Sequence, residues 1–69
     1  MTLEIDKSAV VFNGELRSIG TIPKGKYEVK VIVPLDEEKR LTWYQINGTK
    51  KIIGLNPENL PKGFTIKAS

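Results

Sequence analysis

The sequence predicts an all-β domain: a small antiparallel barrel of about five to seven short strands, with one short 3-10 turn near Pro57. Three observations predict it. Runs rich in β-branched and aromatic residues recur at roughly 8–12-residue spacing, closed by glycine, proline or asparagine. No stretch sustains a 3.6-residue apolar period, so a long helix does not organise the chain. Asn47-Gly48 joins two such runs, and Asn-Gly is the strongest short-range hairpin signal because both residues tolerate positive φ.

The stretch from Leu41 to Leu60 is the one around which the rest is organised. Leu41 to Ile46 enters the Asn47-Gly48 turn and Thr49 to Ile53 leaves it, as a two-residue type I′ hairpin. Alternation puts Tyr44 and Ile46 on one face and Leu41, Trp43 and Gln45 on the other. Ile52 and Ile53 then face opposite ways, so one of them needs cover on the outer side. Gly54 ends the strand or marks a bend. Asn56-Pro57 reads as a cap followed by proline at the first position of a single helical turn.

The other elements follow in order. Leu3 and Ile5 alternate with polar residues in a short first strand. Ala9 to Phe12 is a second apolar run, and Asn13-Gly14 a second hairpin signal leading into Glu15 to Ile19. Ile22-Pro23-Lys24-Gly25 is a turn with proline fixing φ at its second position. Lys26 to Val33 is the clearest strand, with Tyr27, Val29, Val31 and Val33 on one face, and Pro34 is expected to close it. Pro34 to Arg40 is a charged loop, with its charges from Asp36 to Arg40. Pro61-Lys62-Gly63 repeats the earlier turn chemistry, and Phe64 to Lys67 makes a last strand.

Sixty-nine residues hold one domain, 1–69, with a thin core. Hydrophobic content of 39% and charge of 28% favour a folded protein over a disordered one. With neither Cys nor His, disulfides, thiolate or imidazole metal ligands and the usual nucleophile–base pairs cannot be built. An enzyme is therefore not expected, nor is a cofactor. The first twenty residues lack a continuous apolar run, so no signal peptide and no membrane span are expected, and a cytoplasmic location follows unless the protein is a phage component or an excised domain. Eleven basic against eight acidic residues leave a net charge of +3, which permits an anionic partner without requiring one.

The order of signals resembles an SH3-like barrel, and more closely the bacterial SH3 family. The pieces are IGTIPKGKYEVKVI (Ile19 to Ile32), WYQI (Trp43 to Ile46), Asn47-Gly48, and GLNPENL (Gly54 to Leu60), so the resemblance covers about residues 19–60. Gly54, Pro57 and Asn59 are also similar to the eukaryotic family's Gly-x-x-Pro-x-Asn-aromatic signature, with Leu60 in the aromatic position. The N-terminal third lacks both the bacterial Arg-Ser-Gly-Pro opening and the paired tyrosines of a proline-peptide groove. The resemblance thus implies the fold more than a ligand, and function has to be argued from the site.

That resemblance implies a ligand groove lined by Trp43 and Pro57, with Asn59 beside it and the Asp36 to Arg40 loop at its edge. Tyr44 joins the candidates, although its strand position points to the core with only the hydroxyl reaching the surface. A rim Trp that merely covers core edges is the competing reading of Trp43. Lys24, Lys26, Lys30, Lys50, Lys51 and Lys62 would make a basic patch if the two Pro-Lys-Gly turns and the hairpin converge; otherwise they are ordinary solubilising charge. Gly20 to Lys26 comes close to a phosphate-binding loop, but Tyr27 stands where Ser or Thr would bind magnesium and a strand follows instead of a helix. Asn47-Gly48-Thr49 matches a glycosylation acceptor but reads as a hairpin turn. The leading expectation is a non-enzymatic module that binds a protein, a peptide or a cell-wall glycan-peptide such as peptidoglycan. The alternatives are a basic barrel binding nucleic acid and an assembly protein that pairs by edge strands. The oligomeric state is not legible from these residues.

Overall fold

The computed structural model describes residues 1–36 and 41–68. Seven strands follow in sequence order: β1 (Thr2–Ile5), β2 (Ala9–Phe12), β3 (Ser18–Ile22), β4 (Gly25–Asp36), β5 (Leu41–Ile46), β6 (Ile52–Leu55) and β7 (Phe64–Lys67). They form one sheet in the order β3-β2-β6-β5-β4-β1-β7, and every pairing is antiparallel. The all-β class read from the sequence is the class observed.

Strand alternation explains how so short a protein finds a core. Leu3 and Ile5 of β1, Ala9 and Val11 of β2, Ile22 of β3, Val29 of β4, Tyr44 and Ile46 of β5, and Ile53 and Leu55 of β6 all turn to one buried cluster. Phe64 and Ile66 of β7 pack on it, with Met1, Tyr27 and Leu60. All seven strands touch one cluster, so the sheet curls around it. The twelve-residue β4 makes this possible: its first part pairs with β1 and its later part with β5.

Several boundaries differ from those expected. β4 runs through Pro34 to Asp36 instead of closing at Pro34. Its ladder with β5 shifts register between Val31 and Val33 and again between Val33 and Asp36. Pro34 falls inside the second shift, where a strand tolerates a residue without an N–H. The first shift also breaks the alternation expected at Val33, which comes to stand opposite Trp43.

β6 starts at Ile52, three residues later than expected, because the connection at Asn47-Gly48 is wider than a two-residue turn. Ile46 donates to the Lys51 carbonyl at 3.0 Å, and the Thr49 N–H returns to Ile46 at 3.1 Å. Gly48 has φ of 79°, while Asn47 is not among the positive-φ residues, so the type I′ geometry does not form. Thr49 explains the wider loop. Its hydroxyl donates to the Ile46 carbonyl and accepts from the Lys51 N–H, and its carbonyl accepts from Gln45 Nε2.

Asn13-Gly14 likewise opens a five-residue loop, with Asn13 N–H bonded to the Arg17 carbonyl at 2.9 Å. The strand after it begins at Ser18 instead of Glu15. Ile19 is an extra residue in that strand, since Val11 pairs with Gly20 and Phe12 with Ser18. After β6, the Asn59 N–H donates to the Asn56 carbonyl and Asn56 Oδ1 accepts from Glu58. The segment at Pro57 is thus one capped four-residue turn, and a 3-10 helix is not assigned there.

Candidate binding surface

The outer side of the sheet has two unlike regions. Cross-strand partners share a face, so the pairings give the rows directly. Around β1, Glu4 stands between Lys26 and Thr65, and Thr2 between Glu28 and Lys67. This region is a lattice of charges and hydroxyls. Lys67 Nζ reaches Glu4 at 3.2 Å and Lys26 Nζ at 3.4 Å. These two hydrogen bonds, Lys67's first, hold the Glu4 carboxyl below its ordinary range. Thr2 donates its hydroxyl to Glu28, and the amino group of Met1 stands 3.5 Å from the same carboxylate. The Glu28 pKa is lowered chiefly by the Thr2 bond.

Across β5 the outer side carries aromatic and aliphatic residues beside Lys30 and Gln45. Lys30, Gln45, Ile52 and Phe12 form one row, and Val33, Trp43 and Gly54 form the next. Trp43 is half-buried, and its six-membered ring lies on Gly54. An added Cβ at Gly54 would stand 2.9 Å from the ring carbons Cη2 and Cζ3. Phe12 meets the indole edge-on, with centroids 5.6 Å apart and planes at 86°, a favoured geometry for aromatic pairs. Ile52 is buried although it lies outside the main core cluster, because this outer row covers it. One of the two adjacent isoleucines does have the outer cover that alternation demanded.

The expected face assignment for β5 holds. Thr42, Tyr44 and Ile46 are buried, and Leu41, Trp43 and Gln45 are not. Tyr44 therefore does not belong with the ligand-facing residues. It is 3% exposed, and Thr42, on the same face of the strand, is buried beside it. Burial raises its pKa above 10.0, opposed by a side-chain hydrogen bond with Thr42. Pro57 and Asn59 are both exposed on the turn after β6, which begins just past the Thr42–Leu55 pair. The charged loop expected at the edge of the groove, Asp36 to Arg40, lies outside the described residues from 37 onward.

The six lysines lie on separate elements: Lys24 and Lys62 on the two turns, Lys26 and Lys30 on β4, and Lys50 and Lys51 on the loop before β6. The two Pro-Lys-Gly turns do converge: Ile5 pairs with Gly25 on one side and Phe64 on the other, and Asp6 N–H donates to the Gly63 carbonyl at 3.1 Å. A groove of about 510 Å³ lies there, lined by Glu4, Asp6, Lys24, Lys26 and Thr65 among others. Its charges are mixed, and Lys26 is already paired with Glu4. The hairpin carrying Lys50 and Lys51 docks on β4, through Asn47 N–H to the Glu28 carbonyl at 2.9 Å. Lys30 lies in the row beside Gln45.

Phe12 and Gly54 are the site residues that the sequence reading missed. A glycine inside a strand signals a close approach to its backbone, so Gly54 carried a usable signal. Phe12 carried none, since its pairing with β6 is a long-range contact. Among the described residues there is no group of three or more His, Cys, Asp or Glu that could hold a metal ion. No helix among them is long and apolar enough to cross a membrane. The protein matches no protein-family model, no curated protein and no solved structure.

Proposed function

We propose that this protein is a non-enzymatic binding module that grips an extended peptide or glycan-peptide on the outer face of β5 and β6. The observation that carries this reading is the seating of Trp43. Its ring rests on Gly54 and against Phe12 while the residue stays half-exposed. A ring already held in place offers contact area with little conformational entropy left to lose on binding. Pro57 and Asn59, on the exposed turn beyond the end of β6, extend the surface at one end. The SH3-like reading of the fold rests on the resemblance of residues 19–60. Peptidoglycan is one ligand that the bacterial resemblance suggests.

The test is a chemical-shift titration with peptidoglycan fragments, proline-containing peptides and duplex DNA, run on the wild-type protein and on Trp43→Ala. Shifts at Trp43, Phe12, Gly54 and Pro57 that vanish in the variant support the reading. Binding that survives unchanged in a folded Trp43→Ala protein rejects it.

Nucleic acid binding has less support, because Lys26 and Lys67 both pair with Glu4 and so present less free positive charge to a phosphate. A steep loss of affinity between low and moderate salt would favour it. One observation favours an assembly role: Val31, Ile32 and Val33 are 42%, 40% and 46% exposed in a row along β4. Exposed β-branched residues on an extended strand invite pairing with a second molecule. Sedimentation over a concentration series tests this, and a monomer throughout rejects it.

A further inference from the structure

The sequence contains two Asn-Gly pairs, Asn13-Gly14 and Asn47-Gly48, whose bond chemistry is the same. In such a pair the glycine backbone nitrogen can attack Cγ, the amide carbon of the asparagine. A new bond forms between that nitrogen and Cγ, the bond from Cγ to Nδ2 breaks, and ammonia leaves with the glycine's proton. The five-membered succinimide then takes up one water molecule and opens to aspartate or isoaspartate. Water is the only co-reactant, and no electrons are transferred.

The fold treats the two sites differently. Asn13 Oδ1 accepts two hydrogen bonds, from the Glu15 N–H at 2.9 Å and the Arg17 N–H at 3.1 Å. Those bonds hold the amide of Asn13 over the backbone of residues 15 and 17, so attack at Cγ has to reorient it against two hydrogen bonds. Asn47 is exposed, and no hydrogen bond to a described residue holds its amide. The backbone is open at both pairs, since a Cβ at Gly14 or at Gly48 would meet nothing within 4 Å, so the difference lies in the asparagine amides. Among the described residues no loop backbone bond engages the nitrogen of either Gly14 or Gly48, so both are available to attack.

We infer that Asn47 is a site of spontaneous, water-driven modification to aspartate and isoaspartate, and that the fold protects Asn13 from the same reaction. Breaking the two Asn13 bonds before attack slows that site by on the order of thirtyfold relative to an unrestrained one. The consequence reaches the sheet. Conversion takes the net charge from +3 to +2, because a neutral residue becomes an anion. Isoaspartate also adds a backbone bond between the Asn47 N–H, docked on Glu28, and the Ile46–Lys51 closure.

Trypsin separates the sites into the peptides Ser8–Arg17 and Leu41–Lys50. The folded protein is aged at mildly alkaline pH, alongside a sample unfolded in denaturant, and both are digested and weighed by mass spectrometry. A one-dalton gain that is many-fold greater in Leu41–Lys50 when folded, and similar in both peptides when unfolded, supports the inference. Equal gains in the folded protein, an Asn13 gain ahead of Asn47, or no gain at Asn47 overturns it. Asn47→Ser should abolish the gain in its peptide, and a gain that persists there also overturns it.

Discussion

The Trp43 ring occupies the space that a substituent at residue 54 would fill, with ring carbons 2.9 Å from where a Cβ would stand. Gly54 is not among the positive-φ residues, so its backbone would accept alanine. The contact alone forbids it. Gly54→Ala should lift the indole from its bed at a cost of about 1–3 kcal/mol, the usual penalty for overpacking. Denaturant unfolding measures the loss, and a red-shifted Trp43 emission reports the displaced ring. Unchanged stability together with unchanged emission would show that the ring has another seat.

Gly63 is constrained twice. Its φ of 92° is one that other residues rarely adopt, and an added Cβ would collide with the Asp6 carboxylate. Gly63→Ala should cost about 1–3 kcal/mol through backbone strain, with the collision adding to that. The two contributions separate in a double variant. Asp6→Ala with Gly63→Ala should recover the collision but not the strain, so its midpoint should lie between those of wild type and Gly63→Ala. Equal midpoints for the single and double variants would show that the carboxylate simply swings aside.

These two glycines show what was legible in the sequence. Alternation gave the correct faces for Leu41 to Ile46, because a buried side fixes register. The Pro-Lys-Gly turns were readable because proline and glycine act locally. The same local rule misread Asn47-Gly48 and Asn13-Gly14, where the hydrogen bonds made by the Thr49 hydroxyl and those accepted by Asn13 Oδ1 widen the loops. Pro34 was read as a stop because the register shifts that accommodate it depend on β5. Trp43 was found as a half-exposed ring, but its partners come from β2 and β6 and are long-range contacts. No local pattern encodes those.

Acid should weaken the fold through two carboxylates. Glu4 is held low first by its Lys67 bond and then by Lys26, and Glu28 by Thr2. A carboxylate whose pKa is depressed in the folded state contributes stability that is complete above its ordinary value of 4.5. That contribution disappears as pH falls through the lower folded value. Thermal midpoints should therefore be flat just above pH 5 and decline below about 4.5, and Glu4→Gln should make the decline shallower. Glu28 is exposed and Glu4 half-buried, so salt should shrink the effect. An identical acid limb in Glu4→Gln would remove Glu4 from this account.

Alkali should act through Tyr44. Burial raises its pKa above 10.0, and the Thr42 bond only partly opposes this. A group whose folded pKa is raised contributes stability that is intact below its unfolded value and lost as pH rises through the folded value. Stability should thus hold to about pH 10 and fall beyond it, as the unfolded state releases a proton that the core retains. Tyr44→Phe should remove that slope but leave the Thr42 hydroxyl buried without its partner, at about 1–3 kcal/mol near neutral pH. Thr42→Val with Tyr44→Phe removes both polar groups and should restore much of the loss, because a pair of matched apolar replacements leaves nothing unsatisfied. If the double variant is no more stable than Tyr44→Phe alone, the Thr42–Tyr44 bond is not what fills this part of the core.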